Sequence, residues 1–139
     1  LACGLEENGN REFLEWPLAG YTTLALIEAD KEPTNHLLRD VSSMKSDFEE
    51  LGIPMTFIFR NKEQWKKFDR SAFRPFPTVL SFGYDVEEEV WRAWEKALEL
   101  KTKQLPCVIV VNRKGEVVFI SQGYRVGLGS QLLKMMQLK

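Results

Sequence analysis

The sequence is short of the residues that usually carry chemistry. Its 139 residues include two cysteines, Cys3 and Cys107, and one histidine, His36. The cysteines form neither a C-x-x-C pair nor a zinc-ligand spacing. A single histidine leaves a structural zinc or a metal hydrolase short of ligands, so no metal and no cofactor is expected. An excess of one charge is missing too: nineteen basic residues face twenty acidic ones, for a formal charge of −1. Such a chain has no net field to draw in nucleic acid or an anionic membrane, and no like-charged block marks a tail. No apolar run approaches the roughly 18 residues of a membrane span. Internal repeats and low-complexity segments are also absent.

What remains is an ordinary globular composition, 44% hydrophobic and 28% charged, in a length that suits one domain with its own core. The chain begins at Leu1 rather than Met, which reads as a processed or excised piece of something longer. Leu1-Ala2-Cys3-Gly4 has the look of a lipoprotein cleavage box but lacks the basic and apolar stretches of a signal. It reads instead as the remnant of a preceding domain or linker. Residues 1–20 form an N-terminal extension with turn signals at Asn8-Gly9-Asn10, Pro17 and Gly20, around a candidate edge strand from Glu12 to Trp16. A disulfide between Cys3 and Cys107 stays open at this point.

Residues 21–139 read as one domain. Tyr21 to Ala29 is β-rich and apolar, as in a strand buried on both faces. Pro33 suits the first turn of a helix, where its missing N–H is no loss. Leu37, Leu38, Val41, Met44, Phe48 and Leu51 then recur at helical spacing up to Gly52, which predicts one continuous helix. Pro54–Phe59 reads as a central strand, Asn61 as the cap of a short helix to about Phe68, and Thr78–Phe82 as another strand. Asp85 is expected to cap a helix with Glu87, Glu88 and Glu89 in its first turn. The inward face of that helix is Val86, Val90, Trp94, Ala97 and Leu98, which leaves Trp91 off the stripe and partly exposed. Cys107–Val111, the turn Asn112-Arg113-Lys114-Gly115 and Val117–Ile120 form a hairpin. Leu128–Met136 closes the chain as an amphipathic helix. The order β-α-β-α-β-α-β-β-α predicts an α/β sandwich with a mixed central sheet.

Two segments carry a family likeness. YTTLALIEADKEPTNHLLRD, followed by the strand ending at Phe59, resembles the strand–helix–strand opening of a thioredoxin-fold domain. QLPCVIVVNRKGEVVFISQG resembles that family's later cis-proline strand, hairpin and closing glycine. The resemblance implies a thioredoxin-like α/β/α sandwich, with an extra strand and helix, Asn61 to Gln104, inserted before the cis-proline strand. It places Asp30 where the family's W-C-x-P-C turn has Trp, matches Pro33 to its proline, and sets Lys31 and Thr34 at the two cysteine positions. Glu32-Pro33-Thr34-Asn35-His36 with Leu38-Arg39-Asp40, and Ser121-Gln122-Gly123-Tyr124 with Gly127-Leu128-Gly129, resemble a narrower group. These are the C-terminal thioredoxin-like domains that follow transglutaminase-like domains in envelope proteins of Bacteroides-type bacteria. That likeness implies a periplasmic or cell-envelope setting and a larger parent protein.

Disulfide exchange needs an activated thiolate and a second, resolving thiol. Lys31 and Thr34 supply neither, so the expectation is a redox-inactive module. Cys107 is the one thiol near the inferred site; alone it would make a monothiol oxidoreductase or peroxidase, and otherwise it is a small core residue. His36 with Asp40 one helical turn away offers a general base and its orienting group, with Thr34 the nearby hydroxyl. Lys31 at the helix start is a candidate cation for an anionic ligand. The recognition expected of the scaffold is strand addition: Leu105 and Pro106, beside Lys31, Glu32, Pro33, Thr34, His36 and Cys107, as a groove for an extended peptide or a protein partner. A transglutaminase-like domain of the same parent is one such partner. Trp65, Trp91 and Trp94 are either partner anchors or core.

Overall fold

In a computed structural model, residues 3–7, 10–14, 20–99 and 105–137 are described, the first two segments by their backbone only. The first long strand shows why the sheet lies at the centre. All six residues of β3 (Thr22–Ile27) are buried, with Ala25 and Ile27 facing one apolar cluster and Leu24 and Leu26 the other. β4 (Met55–Phe59) and β5 (Leu80–Asp85) run parallel to it in turn, while β6 (Cys107–Val111) and β7 (Val117–Gln122) run antiparallel on its other side. A hairpin of β1 (Cys3–Glu7) and β2 (Asn10–Leu14) adds to β5, giving the order β2-β1-β5-β4-β3-β6-β7. The N-terminal edge strand is therefore present, shifted to Asn10–Leu14. Its partner β1 left no signal in the sequence, and Trp16 and Pro17 lie outside the described residues.

One face of the sheet is covered by α1 (Glu32–Ser43), α2 (Lys45–Leu51), α3 (Lys62–Lys67) and α5 (Leu128–Gln137); the other receives α4 (Glu89–Leu98). The expected single helix up to Gly52 is in fact two. Met44 leaves helical geometry at φ −108° and ψ 25°, just after Ser43 turns its hydroxyl back onto the Asp40 carbonyl at 2.9 Å. Such back-bonding competes with the helix ladder. Gly52 ends α2 in the left-handed region at φ 68°, as anticipated. Asn61 caps α3 by accepting the Gln64 N–H at 3.1 Å.

The expectations for α4 need three corrections. β5 runs through Asp85, and the helix starts at Glu89 after Glu88 adopts φ 57°, so Glu87 and Glu88 precede the first turn. Asp85 still caps, its Oδ2 accepting the Trp91 N–H at 3.0 Å. The later start turns Val90 and Trp91 together toward the sheet, and Trp91 is 2% exposed. It packs with Leu24, Leu26, Ile58 and Ile109, under the Arg60 guanidinium at 5.6 Å. Ala97 faces solvent. The side chain of Leu98 and residues 100–104, the end of the inferred insertion, lie outside what is described. Cys107 is a free thiol, which closes the disulfide alternative.

α1 and α5 pack closely enough to exclude a side chain. A Cβ on Gly129 would lie 2.6 Å from the Asp40 Cβ and 2.5 Å from the Met44 methyl. The methyl can swing aside, whereas the Asp40 Cβ is fixed to its helix backbone. Gly129→Ala should therefore lower unfolding free energy by about 1–3 kcal/mol through overpacking, despite alanine's better helix propensity. Urea titration measures it; a neutral result would mean that the helix pair slides apart freely.

Candidate functional site

The end of β3 and the start of α1 form a tight corner. Asp30 takes a left-handed conformation at φ 59°, and Lys31 precedes the helix in extended geometry without capping through its side chain. The strand's last amides are satisfied by side chains from two directions. Thr34 Oγ1 accepts the Glu28 N–H at 3.3 Å, and Gln64 Oε1 of α3 accepts the Ala29 N–H at 2.9 Å. Pro33 stands in the first turn of α1, and the Asn35 N–H donates to the Lys31 carbonyl at 2.9 Å.

β6 enters the sheet beside this corner. Leu26 lies opposite Cys107, so Pro106 borders the last residue of β3. The Leu105–Pro106 peptide is cis, and the Pro106 carbonyl accepts the Gly123 N–H at 2.9 Å.

Of the eight residues singled out from sequence, four are exposed here: Lys31, Glu32, Pro33 and His36. The other four point inward. Thr34 is 2% exposed, Leu105 5%, and Cys107 has no exposed surface; Pro106 is buried as well. Leu105 and Cys107 belong to the cluster under α4. Burial pushes the Cys107 thiol up to about 11, so neutral pH leaves almost none of it as thiolate.

His36 and Asp40 do not work as a pair. His36 Nε2 faces Glu32 Oε2 at 3.6 Å, with both side chains well exposed, and its ring stacks on Tyr124 at 5.2 Å between centroids. Asp40 Oδ2 instead accepts the Tyr124 hydroxyl at 2.9 Å and the Gly129 N–H at 3.1 Å. Asp40 thus ties α1 to α5 and positions the ring on which His36 lies. Burial, then the Asp40 carboxylate, pushes the Tyr124 hydroxyl above its ordinary range. Tyr124 is the site residue that the sequence reading did not single out. Its signal is its place one residue after Gly123, which turns the chain at φ 81° where β7 ends. Among the described residues no group of acidic, histidine or cysteine side chains is arranged to hold a metal, and no helix is long and apolar enough to cross a membrane.

No family model and no curated protein matches this chain. Solved structures do. A putative thiol:disulfide interchange protein DsbE from Chlorobium tepidum superposes with a TM-score of 0.72 at 15% identity, covering 99% of this chain and 92% of that one. The fold is thioredoxin-like. Xanthomonas campestris peroxiredoxin Q matches at 0.71 and 17% identity, over 99% and 90% of the two chains. A thioredoxin-like protein from Bacteroides caccae matches at 0.70 and 12% identity over 99% of this chain, which spans about half, 47%, of that protein. At such identities the likeness establishes the thioredoxin-like sandwich with its mixed sheet and inserted strand and helix, and nothing about chemistry.

Proposed function

We propose that this chain is a redox-inactive thioredoxin-like module that serves recognition within a larger bacterial envelope protein. One observation carries the reading: where the fold presents its reactive corner, the side chains are an exposed Lys31 and a Thr34 buried against the Glu28 amide. The neighbouring thiol, Cys107, is fully buried and un-ionised at neutral pH. A peptide partner at this end would meet Lys31, Glu32, Pro33 and His36 rather than the side chains of Leu105 or Pro106. The uncapped first amides of α1 and the stacked His36–Tyr124 pair give it a polar rim and a flat ring surface. A transglutaminase-like domain of the same parent is the partner class that the sequence likeness favours.

Two measurements test the two halves of this reading. Insulin-disulfide and hydroperoxide reduction with excess dithiothreitol should match the Cys107→Ser background; turnover above it would sink the non-redox half. Peptides selected from a random display library on the immobilised protein should lose at least about tenfold in affinity to a Lys31→Glu, His36→Ala variant, in the range for removing interface anchors. Selected peptides indifferent to those changes would place recognition elsewhere.

A further inference from the structure

The two outer strands of the sheet differ in how they meet solvent. β2, at one end of the strand order, carries Arg11 and Glu12. β7, at the other end, reads Val117-Val118-Phe119-Ile120-Ser121-Gln122, with no charge and no proline. Charges and prolines are what keep natural edge strands from pairing with one another. Where side chains are described, the exposed large apolar ones are Val117, Val118, Ile120 and Val126, all in β7 or the loop that follows it.

The ladder shows which backbone groups of β7 are open. The Gly123 N–H donates to the Pro106 carbonyl, and from there Ser121 lies opposite Val108 and Phe119 opposite Val110. In an antiparallel pair, bonded and unbonded residues alternate, so Phe119 and Ser121 direct their amides at β6. Val118, Ile120 and Gln122 direct theirs outward, and no other described residue is hydrogen-bonded to them. The register shift in this pair falls at the start of the strand, where Val111 meets Val117, and leaves Val118 to Gln122 regular. On the α5 side a groove of about 400 Å³ runs beside the strand, between Phe119–Gln122 and the side chains of Arg125 and Gln131. An extended chain therefore has room to lie along this edge.

We propose that two copies of this chain pair through β7, antiparallel about a twofold axis at Ile120. A row of open amides is completed by another strand, and an edge without charge suits an identical one. Outward residues must face outward residues, and this axis lets all three do so. Ile120 lies opposite Ile120, and Val118 opposite Gln122 of the second copy. The two Ile120 side chains then adjoin on the α4 face, while Phe119 meets Ser121 of the second copy on the other face. The same axis carries Glu116 of each copy toward Arg125 of the other. Arg125 is exposed and enters no ion pair among the described residues. The Glu116 carboxylate accepts only from the neutral Asn112 amide there. Arg113 and Lys114 lie farther out in the hairpin turn, in a cleft beside Tyr21.

Sedimentation velocity and amide hydrogen exchange, both from micromolar to millimolar protein, give the test. A pairing of single strands is a small interface, so the dimer should form reversibly within that range. Exchange at Ile120 and Gln122 should slow several-fold as dimer accumulates, and that at Phe119 and Ser121, already bonded to β6, by less. Ile120→Lys sets two like charges across the axis and should weaken the dimer about tenfold. Ile120→Thr, which leaves the edge uncharged, should stay within about threefold of the wild type. The exchange experiment on the wild type needs no variant to fold. A monomer at millimolar concentration overturns the proposal, as does a dimer indifferent to Ile120→Lys. Protection that grows with concentration at β2 or at the Lys31 corner instead of at Ile120 and Gln122 overturns it as well.

Discussion

A thiol reagent at pH 7 should modify Cys107 in the native protein at least about 300-fold more slowly than in the unfolded chain, with Cys3 replaced by Ser in both. The side chain has no exposed surface and sits among Leu24, Leu26, Ile58 and Trp91. Burial alone pushes its pKa from the ordinary range to about 11. A free cysteine near 8.5 is about 3% thiolate at pH 7; a pKa of about 11 leaves on the order of a hundredth of a percent. That ratio sets the factor of about 300, and steric closure slows the reaction further.

The same burial fixes the sign of an alkaline effect. Above pH 8.5 the unfolded chain gives up its Cys107 proton while the native chain keeps it, so ionisation favours unfolding. The stability associated with the buried thiol is intact below pH 8.5 and is lost as pH rises to about 11. A shift of this size corresponds to about 2–3 kcal/mol. Cys107→Ala removes it, so the stability difference between the wild type and the variant should shrink across that window in urea titrations. Rapid native labelling with a midpoint well below pH 8.5 would instead show a working thiolate, and the proposal of a redox-inactive module would fall.

Much of this architecture is legible in the sequence because each signal is local. The apolar run of β3, Pro33 opening α1, Gly52 closing α2 and Asn61 capping α3 each announce themselves through backbone chemistry. The features that escape depend on partners distant in the chain. β1 is a strand because β5 and β2 flank it, and nothing in Cys3–Glu7 alone says so. Trp91 is buried because Glu88 takes a left-handed conformation and resets the helix phase, an event invisible to a periodicity count from Val90. Asp40 pairs with Tyr124, 84 residues away, although His36 stands one turn from it. Leu105, Pro106 and Cys107 belong to the right end of the sheet, as the resemblance implies. Neither face of that strand is open to solvent: Val108 and Val110 enter the cluster under α1 and α5, and Leu105, Cys107 and Ile109 the cluster under α4.

Phe59→Ala should cost about 3–5 kcal/mol of stability, the range for emptying a buried aromatic site, and should disturb the Lys31 corner without touching it. Phe59 ends β4 with no exposed surface. Its ring meets Phe68 at 4.9 Å, Trp65 at 5.7 Å and Phe82 at 6.5 Å between centroids. These contacts press α3 and the segment after it onto the sheet. α3 in turn carries Gln64, whose side chain holds the Ala29 amide at the turn into α1. Emptying the Phe59 site removes the packing on one side of Trp65 and Phe68 and lets α3 lift. The urea midpoint should then fall by roughly 1–5 M for a slope of about 1–3 kcal/mol per molar. Amide exchange at Ala29 should quicken along with that of α3 itself. If stability falls but exchange at Ala29 keeps pace only with global unfolding, α3 does not govern the corner. In that case the inserted segment would be a separate wrapping of the sheet rather than the support of its recognition surface.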